Sequence, residues 1–162
     1  SRGLGDVYKR QVLGGPATSF PSRMRRLGAQ DAMEQAGLTF DDRLYGLSNY
    51  DFESAYHAMN SLLARRAEFT ALFAMSDVIA FGAIRALVSA GFRVPQDVSV
   101  IGFDGITMSR YCVPVMTTIV QPSEQIALQS VELLMRQIEH GAPAQKITLQ
   151  PELQFGESVR AI

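Results

Sequence analysis

Val94-Pro95-Gln96-Asp97-Val98-Ser99-Val100-Ile101-Gly102-Phe103-Asp104 decides how the rest of this 162-residue sequence is read. Gly91 stops a helix before it, Pro95 stiffens a turn, and 98–103 is apolar at five of six positions with Gly102 counted. Such a run is what a strand covered on both faces requires, and strands of that kind belong to parallel sheets wrapped by helices. The run delivers a carboxylate, Asp104, at its C-terminal end. In open α/β sheets ligands bind beyond the carboxyl ends of the strands, which makes Asp104 a candidate contact. Standing just before Gly105, it is equally a plain turn residue.

Outward from this strand the same rhythm repeats. Toward the N-terminus, 71–75 is a buried-type strand ending at Ser76-Asp77. The helix that follows runs to Ala90 and is apolar over most of its circumference. Further upstream, Ala55, Tyr56, Met59, Leu62 and Leu63 recur at helical spacing over 53–66, and a short extended piece lies at 45–47. Ser22 is placed to cap a helix over 23–36, with Met24, Leu27, Ala32, Met33 and Ala36 inward and Gly37 as its stop. Val12 and Leu13 are the stub of a strand. Toward the C-terminus, 117–120 is extended, Pro122-Ser123 starts a helix to about 139 that Gly141 ends, and 146–149 and 153–155 read as strand-like. Alternating strands and helices with short loops predict an α/β fold, a parallel sheet flanked by helices.

Composition fits one domain. The sequence is 47% apolar and 19% charged, ordinary for a folded chain. No apolar run approaches the ~18 to 20 residues that span a bilayer. A single cysteine, Cys112, excludes an internal disulfide and a cysteine-based zinc site, and His57 and His140 have no metal-ligand spacing. No cofactor or metal is expected. A net charge of −1 argues against this stretch neutralising nucleic-acid phosphates. No Ser/His/Asp set falls on neighbouring strand ends, so no enzyme chemistry is expected. Residues 1–11, with four charges, two glycines and no apolar periodicity, read as a poorly ordered leader; they resemble translated sequencing-adapter sequence.

VPQDVSVIGFD, followed by Tyr111, Pro114, Thr117-Thr118 and Gln121-Pro122, resembles the effector-binding domain of the LacI/GalR family of bacterial transcriptional repressors. Gly14-Gly15-Pro16, Arg25-x-x-Gly28, Ser54-Ala55-Tyr56 and Ala74-Met75-Ser76-Asp77-x-x-Ala80-x-Gly82 extend the resemblance over about 12–158. It implies the periplasmic-binding-protein-like fold, two α/β subdomains with a ligand cleft between them. Within that fold 12–118 corresponds to the C-terminal subdomain. Residues 119–149 would be a crossover strand and helix belonging to the N-terminal subdomain, of which only this remnant is encoded. A return segment and tail would fill 150–162. Family members begin with a helix-turn-helix DNA reader, and nothing like it precedes Val12, so the chain looks like the C-terminal half of such a repressor.

The resemblance implies a cytoplasmic, non-catalytic module that binds a small sugar-like or purine-like effector and forms a homodimer, meeting operator DNA only through the missing N-terminal head. An exported sugar-binding protein of a transport system shares the fold and is the alternative. Four positions match cleft residues of the family. Arg25 matches an arginine whose five fixed donors suit bidentate recognition of hydroxyls or other polar groups; by itself it is a surface arginine beside Arg23 and Arg26. Asp104 matches the strand-end aspartate that accepts hydrogen bonds from the ligand. Tyr50 falls where the family stacks an aromatic ring on the ligand, and by itself it is ordinary half-buried packing. Ser76 replaces a frequent asparagine with a shorter reach, while Asp77 reads as a helix N-cap. Ser19 and Pro21 lie in a variable ligand-reading loop, and Gly156 stands where the family usually has arginine. Family dimers pair along the helix after Ser76-Asp77 and the segment after Gly105, which nominates Phe81, Ile84, Met108 and Tyr111 for a self-complementary patch. The same residues fit a core equally well.

Overall fold

A computed structural model describes residues 10–66 and 68–160. Among the described residues six strands form one sheet, in the order β2-β1-β3-β4-β5-β6. They are β1 (Arg10–Gly14), β2 (Tyr45–Leu47), β3 (Ala71–Ala74), β4 (Ser99–Asp104), β5 (Thr117–Val120) and β6 (Glu152–Gln154). The first five run parallel, with Val12 beside Tyr45 and Phe73, Leu72 beside Val100, and Gly102 beside Thr118. Only β6, at the edge, is antiparallel. Among the described residues four α-helices lie between them: α1 (Phe20–Gln35), α2 (Phe52–Ala64), α3 (Asp77–Ser89) and α4 (Ser123–His140).

The chain steps from β1 leftward to β2, then rightward past β1 to β3 and on to β4. Right-handed crossovers therefore place α1 on one face and α2 with α3 on the other. The α2/α3 face holds the core: Leu13, Met59, Leu62, Leu72, Ile79, Leu87 and Val100 are all 0–1% exposed. The α1 face is covered less completely. An apolar groove of about 650 Å³ runs between α1 and the sheet, lined among others by Ala29, Met33, Phe73, Ile101, Phe103 and Ile119.

Several boundaries differ from the sequence expectation. β1 begins at Arg10, so Arg10 and Gln11 belong to the sheet and not to a leader; residues 1–9 lie outside the described residues. Ser19, not Ser22, caps α1, its hydroxyl accepting from the Ser22 N–H, and Pro21 sits in the first turn, where its missing N–H costs nothing. Met24 and Leu27 are each half exposed, and Ala32 and Ala36 are also exposed. Ser22, Arg25 and Ala29 turn inward with Met33, which lies where expected, and Ala32 and Ala36 line the open groove toward the sheet, so two polar residues take the places that apolar spacing gave to Met24 and Leu27. Ser76 caps α3 through the Ile79 N–H at 3.1 Å, which displaces Asp77 from that role. Residues 146–149 form no strand; they lie beside α4, with Ile126 and Leu133 facing Ile147 across a shallow cleft. Gly156 is explained by crowding, since a Cβ there would sit 2.5 Å from the Val115 carbonyl oxygen.

Gln11 is the anomaly of the core. It pairs with Leu72 on the α2/α3 face, is fully buried, and neither atom of its amide finds a hydrogen-bond partner among the described residues. An unpaired buried amide costs about 1–3 kcal/mol. Gln11→Met keeps the volume without the polar atoms and is expected to raise stability by that order, read as a higher urea midpoint at unchanged slope. A lower midpoint would mean the amide is satisfied in solution.

Candidate functional site

Because β1 to β5 are parallel, their carboxyl ends meet at one rim of the sheet. The strand order reverses between β1 and β3: the chain leaves β1 for one face and β3 for the other, which opens a crevice between the two loops. The residues the sequence nominated lie around this rim. Gly14-Gly15 follows β1, Tyr50 lies three residues past β2, Met75-Ser76-Asp77 follows β3, Asp104 ends β4, and Gln121 follows β5.

Arg25 bridges the crevice from the second turn of α1. One guanidinium nitrogen donates to the Met75 carbonyl, and the other lies 3.2 Å from Asp104 Oδ1. Its plane rests 3.8 Å from the centroid of the Phe103 ring, a cation–π contact that fixes the fork. Asp104 also accepts from Gln121 Nε2 at 2.6 Å, and the Gln121 N–H donates to the Asp104 carbonyl at 3.1 Å. Arg25 and Asp104 retain 16% and 27% side-chain exposure, so both reach the rim. Burial pushes the Asp104 carboxyl above the usual range; Arg25 and Gln121 pull against this, and the nearby Asp77 charge adds to the rise.

Backbone strain gathers at the same place. Asp104 has φ 114° and Tyr50 φ 60°, both in the region that non-glycine residues avoid. Strain of this kind costs about 1–3 kcal/mol and persists where surrounding contacts over-determine it. Tyr50 lies over Gly15, where a Cβ would come within 2.2 Å of the ring, and its hydroxyl is 2.7 Å from Ser22 Oγ. Ser22 and Arg25 are one turn apart on α1, so the aromatic ring and the guanidinium share one helix face. Among the nominated residues, Arg25 and Asp104 are in direct contact and Tyr50 joins them through Ser22. Ser76 is 3% exposed, and its hydroxyl is committed to the α3 cap.

Sequence reasoning left three partners off the site: Gln121, Ser22 and the buried carboxylate of Asp77. Gln121 was visible only as part of a motif, and the Ser22–Tyr50 pair joins residues 28 positions apart. The nominated interface residues divide into two kinds. Phe81 and Ile84 are half-buried against the core, while Met108 and Tyr111 are 59% and 77% exposed. Among the described residues no helix is long and apolar enough to cross a membrane, and no three His, Cys, Asp or Glu side chains are placed to hold a metal ion.

The site can present a fixed cation, a carboxylate and an aromatic face to a small polar ligand. Comparison with known proteins agrees with this architecture. A family model described as a periplasmic binding protein-like domain matches residues 9–159. The HTH-type transcriptional regulator MalR of Clostridium butyricum is 39% identical over 126 residues, 78% of this chain and 38% of that protein. The HTH-type transcriptional repressor PurR of Haemophilus influenzae (strain PittEE) is 37% identical over 155 residues, 93% of this chain and 46% of that protein. Among solved structures, a complex of the transcriptional regulator CelR with cellobiose superposes with a TM-score of 0.88 at 31% identity, over 92% of this chain and 46% of that one. The Escherichia coli transcriptional repressor ascG gives 0.86 at 30%, over 94% and 56%. The chain spans less than half the length of these two curated relatives.

Proposed function

This chain belongs to the periplasmic-binding-protein-like domain family in the form found in LacI/GalR transcriptional regulators, and from that premise we propose that it is the effector-sensing and dimerising part of such a regulator. The observation that carries the proposal is the Arg25–Asp104–Gln121 cluster at the strand switch point, with Tyr50 beside it. A guanidinium fork, a carboxylate and an aromatic plane are the groups that recognise ring hydroxyls or the polar edge of a base. The effector is therefore sugar-like or purine-like, and the cellobiose complex of CelR supports the sugar class. Residues 12–118 act as the C-terminal subdomain, 119–149 as the crossover and helix of the N-terminal one, and 150–162 as return segment and tail. Effector closing the cleft would reorient the two subdomains and alter the spacing of paired DNA-reading heads in a cytoplasmic dimer. Operator DNA is met only through a head outside this chain, and no catalytic step is involved.

The gene sequence upstream of Arg10 tests this reading. A helix-turn-helix segment supports a regulator, whereas a secretion signal would mean an exported transport protein on the same fold. Dimerisation has its own test. Met108 and Tyr111 are exposed and Ile84 is partly so, which suits a self-complementary apolar patch. In the full-length protein Ile84→Asp and Tyr111→Asp are expected to leave helix content unchanged by circular dichroism and to sediment as monomers. An unchanged dimer mass would remove the patch from the interface.

A further inference from the structure

Asp77 is fully buried in the first turn of α3, whose N-cap is Ser76. Its carboxylate instead reaches across the sheet. Oδ1 accepts from the Thr118 hydroxyl on β5 at 2.5 Å, and Oδ2 accepts from the Ile106 N–H at 2.9 Å. The passage between α3 and β5 crosses β4 at Gly102, the register partner of Thr118, where a Cβ would stand 2.2 Å from Asp77 Oδ1. Glycine at 102 thus opens the slot that this carboxylate fills. The two residues between Gly102's neighbour Phe103 and Ile106 are Asp104 and Gly105, both at positive φ, 114° and 71°. Strand alternation would aim Asp104 toward the α3 side with Gly102. At φ 114° it leaves the strand conformation, and its carboxylate meets Arg25 and Gln121.

We propose that Asp77 is a positioning residue of the effector site: tied to Thr118 and Ile106, it holds the Asp104–Gly105 turn in the strained form that presents Asp104 to the ligand. The inference rests on the reading of Asp104 as an effector contact. The chemistry suits the task, because a carboxylate accepts from two donors at once and charge-assisted bonds of this kind are stronger than neutral ones. The turn is clamped on both sides, by Asp77 after Gly105 and by Gln121 at the Asp104 carbonyl. A purely architectural role, supporting the α3 N-terminus through the helix dipole, would lower stability without touching affinity.

The test uses the full-length protein titrated calorimetrically with hypoxanthine, maltose and cellobiose. Whichever probe binds the wild type is expected to bind Asp77→Ala at least tenfold more weakly, at a temperature where circular dichroism shows both folded. Thr118→Val, which removes one hydroxyl donor, should weaken binding in the same direction, and Thr118→Ser should restore most of that loss. Folded Asp77→Ala and Thr118→Val proteins with wild-type affinity would overturn the proposal. If Asp77→Ala does not fold, the Thr118 pair decides. If no probe binds the wild type, the effector reading is what fails, and crystal structures of Thr118→Val and Asp77→Asn decide the positioning claim. Relaxation of Asp104 to a negative φ with loss of its Arg25 contact supports the claim; an unchanged turn in both contradicts it.

Discussion

The 162-residue chain by itself is expected to bind the apolar dye ANS, to self-associate, and to show no tight effector binding. The cause lies in two uncovered surfaces. α4 is 18 residues long and none of them is buried. Its stripe of Ala127, Val131, Leu134 and Ile138 recurs at the spacing of a helix made to cover something, and Val131, Leu134 and Ile138 are 54–69% exposed. Side chains of this size forgo roughly 1.5–3 kcal/mol each when left in water, against a typical domain stability of about 5–15 kcal/mol. The second surface is the apolar groove on the α1 face of the sheet, where Phe73, Ile101 and Ile119 lie open along about 650 Å³. Parallel sheets are normally covered on both faces, so this groove is a further place for a dye or a second chain to settle. Dye fluorescence, sedimentation and a thermal melt check the expectation. A dye-silent monomer with a sharp melt and micromolar sugar affinity would show that these residues are a self-sufficient domain.

The second large effect is expected at the rim. In the full-length protein Asp104→Ala leaves a ligand donor without its acceptor, a loss of about 1–3 kcal/mol and more where charge is involved. At 1.4 kcal/mol per decade, effector affinity should fall roughly tenfold or more. Arg25→Ala should lose as much, since it removes the fork and also leaves Asp104 with Gln121 alone. Asp104→Ala should leave the melting temperature of the ligand-free protein little changed, whereas Arg25→Ala also loses the Met75 carbonyl bond and the Phe103 contact and should lower it. Asp104→Gly separates strain from recognition. Glycine accepts φ 114° without cost, so this variant should bind as poorly as Asp104→Ala and melt at a higher temperature than it. Equal affinity in Asp104→Ala or Arg25→Ala would remove that residue from the site.

Much of this molecule is legible in its sequence, and the places where it is not are instructive. The strands at 71–75, 98–103 and 117–120 stand out because buried strands are apolar runs between stop signals, α2 because its apolar positions recur at helical spacing, and α3 because it is apolar over most of its circumference between Ser76 and Gly91. α1 misleads for a physical reason. In its first two turns the inward stripe carries Ser22 and Arg25, a rim hydroxyl and a rim cation, so a reading based on apolarity goes wrong there and buries Met24 and Leu27, while Met33 further along faces inward as expected. Local consistency fails where function takes over the buried positions. Ser22 looks like a cap, but its hydroxyl is engaged with Tyr50, and the capping passes to Ser19. Arg25 and Asp104 were found through resemblance to a family. Their partnership with each other, 79 positions apart, and that of Asp77 with Thr118, 41 apart, exist only once the sheet is assembled.

Whether Asp104 receives an effector is decided by a thermal-shift screen of the full-length protein against purines and sugars, run in parallel on Asp104→Ala. One chemical class is expected to raise the wild-type melting temperature, and the rise is expected to disappear in the variant. A rise that persists undiminished in Asp104→Ala, or no response to either class, would contradict an effector contact at Asp104.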